Sequence, residues 1–326
     1  MDTGTHIAMG VALSGLALID PVVAAQPTTH YAVITGVMVG SLIPDVDTVL
    51  KLKNNAVYIQ NHRGITHSIP AVLLWPILIT VILSFIFPSA NLIHVLLWSL
   101  LAVFLHVFVD LFNSYGTQAL RPFSKKWVAL SVINTFDPII FAMHLIAFGF
   151  WWFGTDPVWT MLTLLGALIV YYITRFALKR AILNAVQSTL PDATDIFIAP
   201  TMRFFQWRVA AASPTKYYVG RAYGRSVNIY DEFDRAPLPT DHPAVQAAMT
   251  DPNIQVFMGF SPTYRWEMER RDDGCTEVRL IDLRYRSKGY YPFVAVAHVD
   301  DEQRVHGSYT GWIFSEEKLQ QKIANS

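Results

Sequence analysis

Long apolar runs alternate with short polar connections over the first 175 residues of the chain. Six of these runs have the composition of membrane spans: residues 5–19, 31–44, 69–87, 92–112, 138–154 and 157–174. A spanning helix needs about 20 mostly apolar residues, and shorter runs are accepted where the helix ends in a polar site. The pattern therefore predicts six transmembrane helices. The first two runs are short and rich in small residues, and the GxxxG formed by Gly36 and Gly40 indicates close helix packing rather than chemistry.

The pattern changes after residue 175. Residues 175–190 have the spacing of an amphipathic helix that leaves the membrane and is stopped by Pro191. Short β-like runs then dominate, with one short helix expected from His242 to Met249, and the punctuation between runs predicts an antiparallel sheet. The sequence runs taken as strands are 204–212, 216–224, 254–260, 278–286 and 291–299.

The fold predicted from these patterns is an α-helical integral membrane bundle followed by a mainly antiparallel β C-terminal soluble domain. We expect a helical domain over residues 1–175, a connecting helix over 176–190 and a β-rich domain over 191–326.

Charge divides the chain in the same place. Residues 1–174 hold six Lys/Arg, seven Asp and no Glu, whereas residues 175–326 hold nineteen Lys/Arg and eighteen Asp/Glu. Neither part is basic enough to predict nucleic acid as a partner. The single cysteine, Cys275, excludes an internal disulfide and a cysteine-built metal site, so any metal must be held by nitrogen and oxygen atoms.

The placement of positive charge predicts a topology. Lys51, Lys53 and Arg63 lie between the second and third runs, and further Lys/Arg follow the fourth and sixth runs, while the other connections have none. The positive-inside rule then places both termini of this multi-pass protein in the cytoplasm. The N-terminal run has the length of a signal-peptide core but lacks a basic leader, so we expect it to be kept as the first helix.

Histidines and aspartates gather at one end of these spans. The candidate metal ligands are His6, Asp45, His62, His67, His106 and Asp110. An ionisable group in a membrane is costly unless it faces a partner, a metal or water, and His with Asp suits a divalent zinc-like ion. The predicted topology puts all six at the cytoplasmic face, which indicates a metal centre with zinc as the preferred ion.

Spacing supports some of these candidates more than others. His106 and Asp110 are four residues apart, so on a helix their side chains point the same way. His62 and His67 lie in a turn, where convergence is less fixed, and Asp45 reaches a site if the chain turns after Pro44. Each also has a structural reading: His6 as an interfacial polar residue, the PDVD segment as a capping turn, and HRGITHS as an ordinary loop.

The same residues suggest roles in hydrolysis. Asp47 or Asp110 is expected to accept a proton, and Arg63 to bind phosphate oxygens through its guanidinium fork. His94 and His144 lie elsewhere on apolar helices and are interpreted as packing residues, His30 as a loop residue, and Asp137 as a helix cap before Pro138 or a further acid at the same face.

The order of Thr5-His6, PDVD, HRGITHS and His106-x-x-x-Asp110 resembles the YdjM-type (DUF457) membrane-bound metal-dependent hydrolases over about residues 1–175. That family is itself similar to zinc-dependent phospholipases C and single-strand nucleases. The resemblance implies His6, Asp45, His67, His106 and Asp110 as metal ligands. It implies that His62, Arg63 and Asp47 support those ligands or bind substrate.

The function predicted is metal-assisted hydrolysis of an ester or phosphoester, with a lipid-like or otherwise amphipathic substrate and the bilayer as the standing partner. A metal-ion or proton transporter is the first alternative, although transporters place their sites near the midplane and often contain repeats. The second is a membrane-anchored scaffold with a structural metal site. Ion uptake without ester hydrolysis would favour the transporter, and full activity after truncation near Thr174 would separate the two halves.

Overall fold

A computed structural model of the protein describes residues 1–52 and 55–324. Its contacts divide the chain into two compact units. The first comprises residues 1–48, 61–180 and 199–204, and the second the described residues of 49–60, 181–198 and 205–324. Lys53, which entered the topology prediction, lies outside the described residues.

The N-terminal part of the chain is helical, and most of its helices begin at a proline or a polar cap. Asp137 caps its helix by accepting hydrogen bonds from the backbone N–H groups of Ile139 and Ile140, as one of the two interpretations of this residue predicted. The helices are α1 (Thr3–Leu16), α2 (Pro21–Ala25), α3 (Pro27–Gly40), α4 (Asn55–Asn61), α5 (Ile69–Ile86), α6 (Leu92–Asp110), α7 (Pro138–Trp152) and α8 (Pro157–Thr189). Short 3₁₀ helices occupy Ala17–Ile19, Ile43–Leu52 and Ile65–His67.

The expectation of six spans is not supported. In the described part of the chain three helices are long and apolar enough to cross a membrane: α5, α6 and α8. A fourth span exists only if α3 and the 3₁₀ helix Ile43–Leu52, bent by 44° at their junction, are counted as one. The reason is length: α1 and α7 have 14 and 15 residues, or about 21–23 Å at 1.5 Å per residue, against a hydrocarbon core of about 30 Å.

Close packing of α3 on α6 holds this unit together. A Cβ placed on Gly40 would lie 3.1 Å from the Cβ of Ala102 and 3.1 Å from the backbone oxygen of Ser99, and one on Gly36 would overlap the Ser99 hydroxyl. The two glycines therefore face α6, as the GxxxG spacing predicted. Because the α3–α6 contact runs to the last turn of α3, it fixes the position of the segment that follows.

The expected amphipathic helix over 176–190 is not a separate element. It continues the last span, so that α8 is one helix of 33 residues. The chain has no Gly or Pro between residues 167 and 190 to interrupt it.

The second unit contains two four-stranded sheets rather than one. Each follows chain order, with antiparallel pairing among β2–β4 and among β5–β8. The strands are β1 (Asp195–Pro200), β2 (Gln206–Ala212), β3 (Lys216–Tyr223), β4 (Ser226–Asp234), β5 (Tyr264–Arg270), β6 (Thr276–Asp282), β7 (Phe293–Val299) and β8 (Val305–Trp312). Helices α9 (Pro243–Thr250), α10 (Pro252–Phe260) and α11 (Glu316–Ala324) accompany the second sheet.

One strand prediction is wrong, a second is confirmed only in part, and one helix prediction is confirmed. The run 278–286 is a strand only as far as Asp282, and Leu283–Tyr285 form a 3₁₀ helix. The run 254–260, taken as a strand, is the body of α10. Asp251 caps this helix, Pro252 opens it, and Ile254 and Phe257 are its buried residues, three apart as a helix face requires. The helix expected from His242 is α9, with His242 as its cap.

Candidate metal centre

Four side chains converge where α6 ends. Asp45 comes from the 3₁₀ helix after α3, His67 from the 3₁₀ turn before α5, and His106 and Asp110 from the last turns of α6. They form a group in which each residue offers one ligand atom and all these atoms lie within 4.8 Å of one another. The sequence prediction of a His/Asp cluster is thus realised in the geometry for these four residues.

Four of the six distances among the facing atoms match those around a tetrahedral ion. The Nε2 atom of His67 lies 3.6 Å from Asp45 Oδ1 and 3.5 Å from Asp110 Oδ2. The Nε2 atom of His106 lies 3.6 Å and 3.7 Å from the same two oxygens. Ligand bonds of about 2.0–2.2 Å in a tetrahedron separate neighbouring ligand atoms by about 3.3–3.6 Å.

These four atoms are buried, and none has a hydrogen-bond partner among the described residues. Asp110 Oδ2 is nevertheless ion-paired with Arg63 Nε at 3.2 Å. Buried polar atoms are nearly always satisfied, so the facing atoms of Asp45, His67 and His106, which have no such partner, call for a bound ion. Two imidazole nitrogens and two carboxylate oxygens form a donor set that suits zinc or a similar divalent ion. The side chains of His67, His106 and Asp110 have no exposed area, whereas that of Asp45 is 18% exposed. The cluster therefore approaches solvent at Asp45.

A backbone carbonyl oxygen fixes the tautomer of His106. Its Nδ1 lies 2.7 Å from the backbone carbonyl oxygen of Ser41, which can only accept, so Nδ1 carries the proton. The lone pair is then on Nε2, the atom that faces Asp45 and Asp110. An imidazole held in this way is the usual arrangement of a metal ligand.

A hydrogen-bonded relay orients His67. The Thr66 hydroxyl donates to Asp47 Oδ2 at 2.7 Å, so its oxygen accepts from His67 Nδ1 at 3.0 Å. This again leaves the lone pair on Nε2. Burial lowers the pKa of His67 well below its ordinary value, and the neighbouring His106 lowers it further.

Asp47 accepts hydrogen bonds from its neighbours and does not point into the four-residue group. Its Oδ2 accepts from the backbone N–H of Arg63 at 2.9 Å as well as from Thr66, and its Oδ1 accepts from His62 Nδ1 at 2.8 Å. A second group of possible ligands joins Asp45, Asp47 and His62. The His62 side chain is 23% exposed, so it lies on the outer side of the cluster.

The guanidinium group of Arg63 lies beside the cluster. Its Nε lies 3.2 Å from Asp110 Oδ2, and Nη2 donates to the backbone oxygen of Met1 at 3.1 Å. Its backbone has a φ of 59°, in the left-handed region that costs a non-glycine residue about 1–3 kcal/mol. The bond from Arg63 N–H to Asp47 stabilises that conformation.

His6 lies beside the four-residue group. Its ring stacks on that of His106 with centroids 3.7 Å apart, and its Nε2 is 3.5 Å from Asp110 Oδ1. The N-terminal amine contacts both the His6 Nε2, at 3.1 Å, and Asp110. His6 is thus adjacent to Asp110 on the side opposite the oxygen that faces His67 and His106.

The other polar residues considered from the sequence lie apart from the cluster. His94 pairs with Asp20, Nδ1 to Oδ2 at 2.5 Å, near the far end of α6. His144 donates to the backbone oxygen of Ile140 within its own helix. Asp137 accepts from the Tyr171 hydroxyl at 2.8 Å besides capping α7.

Sequence reasoning did not identify Ser41 and Thr66. Ser41 acts through its backbone carbonyl, for which residue identity gives no signal. Thr66 could have been noticed, because a hydroxyl next to a candidate histidine in HRGITHS is well placed to accept from its Nδ1.

Comparison with known proteins identifies related sequences. The family described as YdjM inner membrane protein matches residues 1–182. The families described as YfhP middle domain and YfhP C-terminal alpha/beta plait domain match residues 191–233 and 243–323. A Bacillus subtilis (strain 168) protein described as uncharacterized protein YfhP is 54% identical over 325 residues, which cover 99% of this chain and 98% of that protein. No solved structure matches the chain.

Proposed function

The chain belongs to the YdjM inner membrane protein family, and from this and the buried cluster we propose that it is a membrane-bound, metal-dependent hydrolase. Its substrate class is an ester or phosphoester. The single observation that carries the proposal is the set of four buried, mutually facing ligand atoms on Asp45, His67, His106 and Asp110, none of which makes a hydrogen bond with the described residues.

The four residues of this set are the proposed ligands of one divalent ion, with zinc preferred for its N/O tetrahedral chemistry. The chemistry that such an ion supplies is acidification of water and polarisation of an ester or phosphoryl oxygen. Asp45 has the only partly exposed side chain among these four, so substrate is proposed to approach beside it. His6, stacked on His106, supports that ring and adds a further nitrogen beside Asp110.

The remaining side chains bind, orient and carry protons. Both oxygens of Asp47 accept hydrogen bonds, from three donors in all, which supports a role in orienting His67 and His62 over that of a proton acceptor. His62, held on Asp47 through Nδ1 and 23% exposed, is the proposed path by which a proton reaches solvent. Arg63 keeps a positive charge beside Asp110, where it can bind negative charge that develops on a substrate oxygen.

The cluster is proposed to lie at the cytoplasmic face of the membrane. Lys51 precedes α5, and Lys125 and Lys126 follow α6, as the positive-inside rule requires. Arg63 and Arg175 are buried and count less toward this rule than the sequence suggested. A reporter fused after residue 90, between α5 and α6, is expected to be outside the cytoplasm, and a cytoplasmic reporter would overturn this orientation. That both termini are cytoplasmic stays a prediction.

The proposal is tested on the purified full chain in nanodiscs, by zinc content and by hydrolysis of nitrophenyl esters and bis-nitrophenyl phosphate. His106→Ala is expected to lose zinc and hydrolysis together. His144→Ala, a buried helical histidine outside the cluster, is the matched control and should keep both. Hydrolysis at the wild-type rate in a His106→Ala, Asp110→Ala double variant would contradict the proposal.

A further inference from the structure

An apolar groove on the outer surface of the helical unit ends at the cluster. It has a volume of about 290 Å³ and is lined by residues of α5 and α6 and by Ala119 and Leu120 of the following loop. Its walls are almost entirely apolar, and the exception is His67, which contributes to the groove and to the four-residue group. The groove therefore extends from the outer face of two membrane helices to the buried His67, whose side chain has no exposed area, and it contacts none of the other three ligands.

The surroundings of the groove decide what can occupy it. α5 and α6 are two of the helices long and apolar enough to cross the bilayer. Leu73 of α5 and Phe104 of α6 both line the groove and are 55% and 49% exposed, so they face the hydrocarbon region. The species present there at high concentration is a lipid chain, and a groove of this size, near the lower end of ligand pockets at about 300 Å³, fits part of one.

The loop at the edge of the groove has the composition of a segment at the bilayer surface. Leu120 and Phe123 are 48% and 86% exposed, and Lys125 and Lys126 are exposed a few residues later. Exposed apolar and basic side chains together bind the boundary between acyl chains and anionic headgroups. A lipid whose chain enters the groove would have its headgroup at the level of this loop.

We propose that the groove binds an acyl chain of an anionic membrane lipid and that this holds the lipid's ester or phosphoester linkage at the level of the 119–126 loop, beside the cluster. The inference rests on the proposed hydrolase function for its second half only. The first half, acyl-chain binding between α5 and α6, follows from the groove itself and is measured without catalysis.

The test uses the full chain in nanodiscs that contain phosphatidylglycerol with a photoactivatable group on one acyl chain. Labelling of the α6 peptide that contains Phe104 and Phe108 is quantified by mass spectrometry. Leu73→Trp fills the groove and is expected to lower this labelling about tenfold. Leu74→Trp changes the neighbouring leucine, which is 62% exposed but does not line the groove, and should leave labelling unchanged.

A second pair of variants guards against misfolding by either tryptophan. Ala119→Phe narrows the groove from the loop side, and Ala142→Phe places the same side chain on an exposed position of α7. Only the first is expected to lower labelling. The inference would be overturned if Leu73→Trp and Ala119→Phe were labelled as strongly as their controls Leu74→Trp and Ala142→Phe. Protein–protein cross-links between copies at the groove would also overturn it.

Hydrolysis of the same lipid is measured in parallel, so that the two claims can fail separately. Groove-directed labelling without hydrolysis of any ester supports the lipid site and contradicts the hydrolase. Hydrolysis of soluble nitrophenyl esters that is unaffected by Leu73→Trp, with labelling also unaffected, supports the hydrolase and overturns the groove.

Discussion

The Nδ1 atom of His106 lies 2.7 Å from the backbone carbonyl oxygen of Ser41, and this contact ties α6 to the first residue after α3. The same bond turns the Nε2 lone pair of His106 toward Asp45, four residues beyond Ser41. A contact between two helices thus sets the tautomer of a ligand and brings a second ligand within reach.

The relay through Thr66 gives the first prediction. Thr66→Val keeps the shape of the side chain but removes the hydroxyl that joins His67 to Asp47, so zinc affinity should fall about 10–100-fold. Competition with a chelator of known affinity measures this change. Thr66→Ser should restore most of the affinity. Thr80→Val removes a buried hydroxyl bonded within α5 and should have no effect on zinc. Equal affinities in all of these proteins would contradict the relay.

Close contact at Gly40 gives the second prediction. Gly40→Val forces the valine against Ala102 and the Ser99 carbonyl, one turn before His106, and overpacking of this kind costs about 1–3 kcal/mol. The thermal midpoint and the zinc content of the purified protein should both fall. Gly149→Val is the control, because no atom lies within 4 Å of a Cβ at Gly149. A lower thermal midpoint with full zinc content would show that the α3–α6 packing does not position the metal ligands, which contradicts this prediction.

Arg63 should affect substrate choice more than metal binding. Arg63→Lys keeps a positive charge near Asp110 but loses the planar group that binds phosphate. We expect phosphodiester hydrolysis to fall about 10²-fold, the usual loss for one preorganised donor, and carboxylic-ester hydrolysis to fall less. Zinc content should be unchanged. Equal losses on both substrates, measured as kcat/KM, would contradict a role in binding phosphate.

Hydrophobic patterning was sufficient to locate α5, α6 and the start of α8, because long apolar runs have one interpretation. Hydrophobic patterning could not predict that α1, α3 and α7 are shorter than the thickness of a bilayer, since caps and bends determine where these helices end. The i, i+4 spacing of His106 and Asp110 predicted their shared direction directly. Asp45 and His67 lie on 3₁₀ segments, and their convergence depends on how α3 and α5 pack against α6.

The β-rich part shows a different limit. Val278, Leu280 and Ile281 lie in a strand as predicted, but the run 254–260 has strand-like residues in a helix. Asp251 and Pro252 make this segment a helix. Asp251 caps its N-terminus and Pro252 occupies its first position, and these two helix-start signals outweigh the β propensity of the residues that follow. Two sheets rather than one could not be predicted, because short runs do not reveal which strands pair.

We expect the second unit to lose stability in acid because of Glu277 on β6. Burial alone would raise the pKa of Glu277, but the hydrogen bond from His298 and the charge of Arg279 outweigh it and lower the pKa to about 2. Arg271 also contacts this carboxylate. A lowered pKa in the folded state means that the stabilisation is present above the ordinary pKa and is lost as pH falls from about 4.5 to about 2.

Hydrogen exchange of β6 and β7, corrected for the intrinsic pH dependence, measures this loss in the full chain. Protection should decrease over that pH range in the wild type, and Glu277→Gln should have low protection that changes little with pH. Glu317→Gln, at an exposed position in the first turn of α11, should behave as the wild type. A wild-type protein with constant protection over that range would contradict the assignment.

Zinc K-edge X-ray absorption of the purified full chain tests the central claim most directly. One zinc with four nitrogen or oxygen neighbours at about 2.0–2.2 Å and scattering from two imidazole rings is expected in the wild type and in His144→Ala, whereas His106→Ala is expected to show no bound zinc. Bound zinc whose spectrum is identical in the wild type and His106→Ala, or wild-type protein that holds no divalent ion, would contradict the central claim.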